Sequence, residues 1–394
     1  MRHAHIVGWG SFLPQYALTN DQIAEIVDTN DEWIVTRTGI RERRIASPKE
    51  TTATLGFKAA TQALAVAGIT PSQVDLIIVA TSTPDHVFPS AACLVQDLLG
   101  ASKAGAFDLS AACSGFVYGL SMAANAIATG SINTAIVIGA ETMSRIVDWS
   151  DRATCILFGD GAGAVVLQGS NVPGGVLSTS LRSDGSGGDL LRLQINYDSY
   201  LPHLGPEFSS NGHGPHKGPG HKSTIEMNGR QVFRFATSIM ADIVKDVLDK
   251  ADLDVEQVSL VVPHQANERI ISTAAKKLKM PIEKFHMNLE VTGNTSAASI
   301  PLALCDAIDK GRIRPDDNIV FVGFGGGLTW AAAAIKWLGT APETGWRDRE
   351  WKRARYVLAR GRSRMRRLGR RVLSAVGSYP LEENDRKEKR RQEE

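Results

Sequence analysis

Two similar stretches decide the fold: AGITPSQVDLII at residues 67–78 and ADLDVEQVSLVV at residues 251–262. They stand 184 residues apart, and each follows a helix-like segment and runs into a continuous apolar stretch. The apolar stretches, Leu76–Ala80 and 260–262, predict strands of a parallel sheet that are buried on both faces. The shared Gln-Val-x-Leu core favours an internal duplication over a chance match between two βα patterns.

The repeat extends beyond these strands. Each copy continues through a helix into a further apolar strand, predicted at 135–139 and 319–323, and then through a glycine-rich hairpin into a last strand. This order predicts an α/β fold of two duplicated halves, with helices covering mainly parallel sheets. We expect an N-terminal half at 1–172, a C-terminal half at 173–339 and a separate extension at 340–394. A site is expected where the halves meet.

Composition places the chain among ordinary globular proteins, with 394 residues, 43% of them hydrophobic and 22% charged. The sequence contains neither a secretory signal nor an apolar run of the roughly 20 residues that a membrane helix needs. The four cysteines are irregularly spaced and form no CxxC pair. A disulfide framework and a zinc ribbon are therefore not expected, and we predict a cytoplasmic protein.

A polar insertion rich in Gly, Pro and His interrupts the C-terminal half at 192–222. Histidines can bind metal, but these four are loosely spaced, with no acidic or thiol partner recurring beside them. A surface loop without metal is the favoured interpretation. The four histidines are His203, His213, His216 and His221.

The extension differs in charge from the body. From Thr340 onward, 17 Lys and Arg stand against 9 Asp and Glu, whereas the preceding residues are mildly acidic. Apolar residues recur there at spacings of three and four, which predicts an amphipathic helix for an anionic membrane surface or an acidic partner. A disordered extension is the alternative, and nucleic acid is not expected. The stripe comprises Trp351, Ala354, Leu358, Gly361, Met365, Leu368, Val372 and Ala375.

Three segments carry residues suited to catalysis. Cys113, in AACSGF, precedes an Ala-rich helical stretch, where a helix dipole would lower the thiol pKa. His264 follows a predicted buried strand, the position where open α/β sheets place reactive groups. Asn294 stands at a turn before a helix. Alone, these residues could be a buried thiol, a core histidine and a helix cap; together, they predict a nucleophile with two partners.

A series of motifs resembles the β-ketoacyl-acyl-carrier-protein synthase III family, and the resemblance covers the chain to about Gly339. The resemblance implies a thiolase-like fold with a layered α-β-α-β-α core and mixed sheets. The motifs, in the family's order, are DEWIVTRTGIRER (31–43), FPSAAC (88–93), AACSGF (111–116), FGDGAG (158–163), PHQAN (263–267), GNTSAAS (293–299) and GFGGGLTW (323–330).

The resemblance also implies a reaction. A homodimeric acyltransferase would condense a short acyl-CoA with malonyl-acyl-carrier protein, releasing CO2, without metal or cofactor. Cys113 would carry the acyl group, and His264 and Asn294 would stabilise the enolate. The N–H groups of Cys113 and Gly326 would form the oxyanion hole.

Further residues match the family's substrate contacts. The coenzyme A contacts would be Trp33, Arg37, Arg152, Gly229 and Asn267. The acyl pocket would include Leu157, Phe233, Leu328 and, reaching into the neighbouring subunit, Phe88. Carrier-protein docking would involve Arg234, Arg269, Lys276 and Lys277.

The chain departs from the family pattern in places. Leu328 and Ala331 replace a larger aromatic residue and a glycine, which leaves the acyl preference open. A secondary-metabolite or polyketide-type ketosynthase primed by acyl-CoA is the alternative enzyme. Thiolases fit less well, because neither Cys155 nor Cys305 lies in the glycine-rich hairpin. A scaffold that binds carrier protein or membrane is the non-enzyme alternative, although Cys113, His264 and Asn294 are all present.

Overall fold

The computed structural model describes residues 2–194 and 224–339 and, in the C-terminal extension, five positions within a helix: Gly361, Ser363, Met365, Leu368 and Gly369. The strands of the described chain are β1 (His3–Phe12), β2 (Tyr16–Thr19), β3 (Glu42–Ile45), β4 (Leu76–Ala80), β5 (Gly105–Leu109), β6 (Thr134–Thr142), β7 (Asp160–Ser170), β8 (Gly175–Ser183), β9 (Leu191–Leu193), β10 (Ile225–Met227), β11 (Leu260–Pro263), β12 (Asn318–Gly325) and β13 (Thr329–Lys336). The helices are α1 (Asn20–Ala24), α2 (Asp31–Thr38), α3 (Thr52–Ala67), α4 (Ala91–Leu99), α5 (Gly115–Ala128), α6 (Gly229–Lys250), α7 (Glu268–Leu278), α8 (Leu289–Thr292) and α9 (Ser299–Asp309).

Two mixed sheets repeat one topology. The first has the strand order β1-β7-β6-β4-β5 and the second the order β8-β13-β12-β11. In the first, β4 is parallel to β5 and β6, while β7 is antiparallel to both β6 and β1. In the second, β11 is parallel to β12, and β13 is antiparallel to both β12 and β8. The predicted duplication, with mixed sheets, is confirmed. The expectation of mainly parallel sheets is wrong, because β7 and β13 run antiparallel to both of their neighbours.

Five layers result from the way the helices cover these sheets. One apolar cluster joins both sheets through α5 and α9, which lie between them and contribute Phe116, Leu120, Ile300 and Leu304. A second cluster packs α6 and α7 against the outer face of the second sheet. A third packs α3 and α4 against the outer face of the first. This is the predicted α-β-α-β-α arrangement, since both faces of each sheet are apolar.

Local signals account for the helix ends near the repeat. Thr51 caps α3 by accepting a hydrogen bond from the N–H of Thr54, and Gly68 ends the helix in the left-handed conformation, with φ of 65°. The chain then passes through a short 3-10 turn into β4. Strand β7 ends the first sheet at Ser170 and β8 opens the second at Gly175; the domain boundary between residues 172 and 173 stays a prediction.

Candidate active site

A pocket of about 300 Å³ lies where the two halves meet, and Cys113, His264 and Asn294 all line it. Its walls come from the 3-10 turn that precedes α5, the ends of β11 and β12, the β9–β10 pair and the first turns of α6. Carboxyl ends of parallel strands meet at one edge of each sheet, so a duplicated fold brings both edges to this junction. The structure thus assembles three residues that are far apart in the sequence.

Cys113 lies in a 3-10 turn, Ala112–Ser114, immediately before α5. Ala112 has a φ of 45°, an unusual value for a residue with a side chain, and this turn directs the cysteine into the junction. Burial raises the pKa of the Cys113 thiol to about 12, although a hydrogen bond with Ser296 lowers it. The expectation of a lowered pKa is therefore wrong for this structure, because desolvation outweighs the favourable contacts.

The cysteine turn is fastened to the glycine-rich hairpin between β12 and β13. Ser114 Oγ lies 2.7 Å from both Ala111 O and Thr329 Oγ1. The Thr329 hydroxyl in turn lies 2.9 Å from Ala111 O and 3.0 Å from Gly326 O. These contacts fix the position of the nucleophile relative to the hairpin.

His264 follows the last residue of β11, as predicted. Its side chain is buried, with the ring edge-on to Phe324 at 5.2 Å between centroids. Burial lowers the pKa of His264 to about 3, so the imidazole is neutral at ordinary pH. Its Nδ1 lies 2.6 Å from Ser299 Oγ, at the start of α9. When the hydroxyl donates to Nδ1, the proton of the neutral ring is on Nε2.

Asn294 is held through its backbone and through one end of its side chain. Its N–H donates to Leu157 O at 2.8 Å, and its carbonyl accepts from Gly159 N at 3.0 Å. Its Oδ1 accepts from the N–H of Ser296 at 2.9 Å. The prediction of a helix cap is wrong, because Thr295 precedes the following 3-10 turn and Ala298 precedes α9 as their N-cap residues. The amide oxygen instead accepts from Ser296 N–H, which leaves the NH2 group to donate into the pocket.

The glycine-rich hairpin approaches Cys113 closely at Gly325. A Cβ on Gly325 would lie 2.6 Å from Cys113 N, so only glycine leaves this N–H accessible. The predicted oxyanion residue Gly326 lines the pocket. Leu328, predicted to line the acyl pocket, is buried but is not among the residues around this pocket. Its side chain instead packs against Gly187.

The predicted coenzyme residues gather at the mouth. The guanidinium carbons of Arg37 and Arg152 lie 4.2 Å and 4.7 Å from the centre of the Trp33 ring. Asn267 and Gly229, together with Arg37, line the pocket itself. The Asn267 amide donates to Arg37 O at 2.8 Å, while its Oδ1 caps α7.

The remaining predicted residues divide between the pocket and the surface. Leu157, Phe233 and Arg269 line the pocket, and the Arg269 guanidinium lies over the Phe233 ring at 5.4 Å. Phe88 lies on the surface with 86% of its area exposed and does not line the pocket of its own chain. Arg234, Lys276 and Lys277 are exposed on α6 and α7.

Sequence reasoning missed several polar residues around the pocket. Ser82 and Ser296 line it, and Ser299 contacts His264. Glu141, in β6, is fully buried behind them. The runs TSTPD and GNTSAAS contain the three serines, but single hydroxyl groups in small-residue motifs carry no distinguishing signal. Glu141, a charged residue within the apolar run of β6, was the one signal available.

Other predictions concern regions away from the pocket. In the described part of the chain, no group of three or more His, Cys, Asp or Glu side chains could hold a metal ion, and no helix there is long and apolar enough to cross a membrane. The four histidines of the 192–222 insertion lie outside the described residues.

The strands that flank this insertion, β9 and β10, pair with each other and contribute to the pocket wall. Their lining residues are Leu191, Leu193, Ile225 and Met227.

A duplicated five-layered α/β fold, with cysteine, histidine and asparagine in one pocket between its halves, defines an acyltransferase of the thiolase fold. Comparisons with known proteins narrow this class. Residues 107–185 match the family 3-oxoacyl-[acyl-carrier-protein (ACP)] synthase III, and residues 248–337 match the C-terminal part of the same family.

Two curated relatives are similar over nearly their whole length, and both are named β-ketoacyl-[acyl-carrier-protein] synthase III. The protein from Desulfitobacterium hafniense is 49% identical over 332 residues, covering 84% of this chain and 97% of the relative. The protein from Clostridium perfringens is 46% identical over 337 residues, covering 85% of this chain and 100% of the relative.

Solved structures agree. The 3-oxoacyl-[acyl-carrier-protein] synthase III of Aquifex aeolicus superposes with a TM-score of 0.77 at 45% identity, covering 85% of this chain and all of that one. The priming β-ketosynthase of the R1128 polyketide pathway superposes with a TM-score of 0.78 at 36% identity, covering 86% of this chain and 98% of that one. This chain belongs to the β-ketoacyl-acyl-carrier-protein synthase III family, the initiating condensing enzymes of fatty-acid synthesis.

Proposed function

We propose that this enzyme condenses a short acyl-CoA with malonyl-acyl-carrier protein to give a β-ketoacyl-acyl-carrier protein, CO2 and free coenzyme A. The observation that supports this reaction best is the pocket in which Cys113, His264 and Asn294 meet. A buried, neutral His264 can donate a hydrogen bond to a developing enolate oxygen.

In the first half-reaction, Cys113 is the nucleophile. A new C–S bond forms between its sulfur and the acyl carbonyl carbon, the thioester bond to coenzyme A breaks, and the thiol proton ends on the departing sulfur. Burial raises the pKa of the Cys113 thiol to about 12, which favours the protonated thiol as the form that meets the substrate. The N–H of Cys113, exposed by Gly325, and that of Gly326 receive the oxyanion.

In the second half-reaction, malonyl-carrier protein replaces coenzyme A in the pocket. The bond to the malonyl carboxylate breaks, CO2 leaves, and its electron pair forms an enolate at the thioester oxygen. His264 Nε2–H and the Asn294 NH2 group donate to that oxygen. The enolate carbon then attacks the acyl-cysteine carbonyl carbon, the cysteine sulfur leaves, and this sulfur takes up one proton from water, which regenerates the Cys113 thiol. The electrons pass from the broken bond to the new one, so the proposed reaction needs neither metal nor cofactor.

The mouth of the pocket is proposed to bind the coenzyme. Stacking of adenine between Trp33 and Arg152 needs about 7 Å between ring and guanidinium, or two van der Waals layers. The present separation is 4.7 Å, so Arg152 would move outward on binding. Arg152 is exposed and is tied to the body by one hydrogen bond to Asp28 O, at 2.8 Å.

Carrier-protein docking and dimer formation use the surrounding surface. Exposed Arg234, Arg269, Lys276 and Lys277, together with Gly229 and Asn267 at the pocket wall, suit an acidic carrier that presents its substrate arm. Phe88, 86% exposed, is proposed to enter the acyl pocket of a second copy in a homodimer, beside Leu157 and Phe233. Residues 1–172 and 173–339 are proposed as the two halves, and the cytoplasm as the location.

A role in polyketide initiation is the second candidate, since the chain is also similar to the priming β-ketosynthase of the R1128 pathway. The higher identity to the synthase III relatives favours fatty-acid initiation. Purified enzyme offered a panel of acyl-CoA primers with malonyl-carrier protein, and products measured by mass, distinguishes the two by the chains it accepts.

Two variants test the proposed roles. Cys113→Ala should abolish labelling by radioactive acetyl-CoA while leaving the fold intact, because the acceptor sulfur is gone. Asn294→Ala should still accept the acyl group but release CO2 from malonyl-carrier protein about 100- to 1,000-fold more slowly, since one enolate donor is lost. Stoichiometric labelling of the first variant, or lost acylation with unchanged CO2 release in the second, would contradict the assignment.

The extension is proposed to bind an anionic membrane surface. Among its described residues, Met365 and Leu368 of the apolar stripe are 66% and 64% exposed. Ser363, outside the stripe, is buried and hydrogen-bonds Asp97 at the end of α4. An apolar side turned to solvent suits lipid, and nearby basic residues would each add roughly 1 kcal/mol at an anionic surface.

Deletion of residues 346–394 tests this proposal. The truncated enzyme should keep condensation activity in solution but bind anionic vesicles more weakly at low salt. Neutral vesicles serve as the control. Equal binding of the full-length and truncated proteins to anionic vesicles would reject the membrane role.

A further inference from the structure

Glu141 is a buried carboxyl group for which the proposed reaction has no use. It is 0% exposed, and in the described part of the chain it forms no ion pair. Several donors converge on it instead. The hydroxyl groups of Thr81 and Thr83 lie 3.1 Å and 2.6 Å from Oε2, Ser82 N lies 3.1 Å from both oxygens, and Ala297 N lies 3.4 Å from Oε1. A buried carboxyl with this many partners holds segments together.

The internal duplication shows what these segments are. The interval of 184 residues that relates the two repeats also relates the cysteine turn, Ala112–Ser114, to the turn Ser296–Ala298 before α9. Both turns begin with a left-handed residue, with φ of 45° at Ala112 and 48° at Ser296. Ala297 is thus the counterpart of Cys113.

The contacts between the halves follow the same symmetry. A Cβ on Gly139 of β6 would meet Ala297 O at 2.1 Å, and a Cβ on its counterpart Gly323 of β12 would meet Cys113 O at 3.3 Å. Each half therefore places the same strand position against the helix-start turn of the other half.

Two residues further along these strands the symmetry breaks. Gly325 stands opposite the N–H of Cys113 and leaves it open to the pocket, since any Cβ would lie 2.6 Å from that nitrogen. Its counterpart is Glu141, whose carboxyl occupies the corresponding place beside the N–H of Ala297. One turn has an open N–H for a substrate oxygen, and the other is closed by an oxygen of the protein itself.

The closed turn is connected to the catalytic amide. Ser296 N–H donates to Asn294 Oδ1, and this bond sets which end of the amide faces the pocket. A left-handed serine is strained, so the turn needs support from its surroundings. We infer that Glu141 is a positioning residue: by filling the second, unused counterpart of the oxyanion site it holds the Ser296 turn, and thereby directs the Asn294 NH2 group at the substrate. The inference rests on the proposed role of Asn294.

The hydrogen bonds to Glu141 indicate which substitution should keep the Ser296 turn in place. The N–H groups of Ser82 and Ala297 donate to Glu141 whether or not the carboxyl is ionised, and the threonine hydroxyls can donate or accept. Glutamine can therefore keep its oxygen toward the two N–H groups and its NH2 toward Thr81 and Thr83. Methionine fills a similar volume and accepts from neither N–H.

The experiment measures both half-reactions separately in purified full-length enzyme. Acyl-enzyme formed with acetyl-CoA is counted by mass, and CO2 release from malonyl-carrier protein is timed. We expect Glu141→Met to form acyl-enzyme stoichiometrically but to release CO2 about 10- to 100-fold more slowly, a part of the effect of losing the Asn294 donor. Glu141→Gln should recover most of that loss. The double variant Glu141→Met/Asn294→Ala should be no slower than Asn294→Ala alone.

The controls separate this inference from others. Ser296→Ala removes a hydroxyl that hydrogen-bonds both Cys113 and Glu141 but keeps the backbone N–H that donates to Asn294, so CO2 release should fall less than in Glu141→Met. If Glu141→Met does not fold, Thr83→Val, which removes the shortest hydrogen bond to the carboxyl, replaces it. Equal losses in both half-reactions, a double variant well below Asn294→Ala, or a glutamine variant as slow as the methionine variant would each overturn the inference. If wild-type enzyme releases no CO2, or Asn294→Ala releases it normally, the proposed function itself fails.

Discussion

Replacing Gly325 by alanine tests how the fold exposes the N–H of Cys113. A Cβ at this position would lie 2.6 Å from Cys113 N and 3.2 Å from Cys113 Cβ. Non-bonded heavy atoms involving carbon prefer about 3.5–4.0 Å, so the cysteine turn and the hairpin would have to separate by roughly 1 Å. The turn is fastened to that hairpin through Ser114 and Thr329, so the shift must strain these bonds or move the thiol.

Both consequences slow acylation. A misplacement of about 1 Å costs roughly 100-fold in rate, and the loss of one oxyanion donor costs about 100- to 1,000-fold. Because one methyl group causes both the misplacement and the loss of the donor, the two effects are not independent, and we expect acylation by Gly325→Ala to be about 100- to 1,000-fold slower. The assay is the single-turnover rate of acyl-enzyme formation from acetyl-CoA, followed by mass.

Gly185→Ala is the matched control. Its Cβ would meet no heavy atom within 4 Å, and acylation should therefore proceed at the wild-type rate. A folded Gly325→Ala enzyme, with an unchanged melting temperature, that acylates within threefold of wild type would refute the idea that the cysteine N–H must be open to the substrate oxygen.

Three further predictions follow from the pocket and its mouth. Ser299→Ala removes the partner of His264 Nδ1, 2.6 Å away, and should slow CO2 release roughly three- to tenfold while acylation persists; a selective loss of acylation would contradict this. Burial lowers the pKa of His264 from 6.5 to about 3, so the unfolded chain binds more protons than the folded chain between these pH values. The free energy of unfolding should therefore be unaffected by this histidine above pH 6.5 and should fall as the pH drops from 6.5 toward 3. The urea midpoint of His264→Gln should fall less than that of the wild-type enzyme over this pH range. If the two midpoints fall in parallel with pH, titration of His264 is not the cause. Arg152→Ala should raise the KM for acyl-CoA about two- to fivefold, because the guanidinium that is proposed to stack on the adenine ring opposite Trp33 is lost; an unchanged KM would reject the coenzyme site.

The sequence predicted the fold well because its strongest signals are local. The apolar run of β4 predicted a strand buried on both faces, and its repetition in β11 identified two halves. The position of His264 at the end of β11 followed from the same pattern. Such features depend on neighbours within a few residues, so a single sequence contains them.

The electrostatics and the close contacts could not be read in the same way. Cys113 precedes a helix, which argued for a lowered thiol pKa, but the reverse shift comes from burial between two halves that the sequence does not position. Likewise, nothing near Gly325 in the sequence says that Cys113 N lies 2.6 Å from the place of its missing Cβ. Leu328 was assigned to the acyl pocket from a motif, whereas its direction depends on packing against Gly187.

The dependence of the Cys113 turn on β12 and β13 has a consequence for the newly made chain. The thiol leaves the ribosome well before Gly325, which follows roughly 200 residues later and so takes roughly 10–40 s more to synthesise. Until then the turn has neither the strand that borders its N–H nor the Thr329 hydroxyl that fastens it. A nascent chain should therefore lack the ordered oxyanion site, and catalysed acylation by coenzyme A thioesters should begin only when translation is nearly complete.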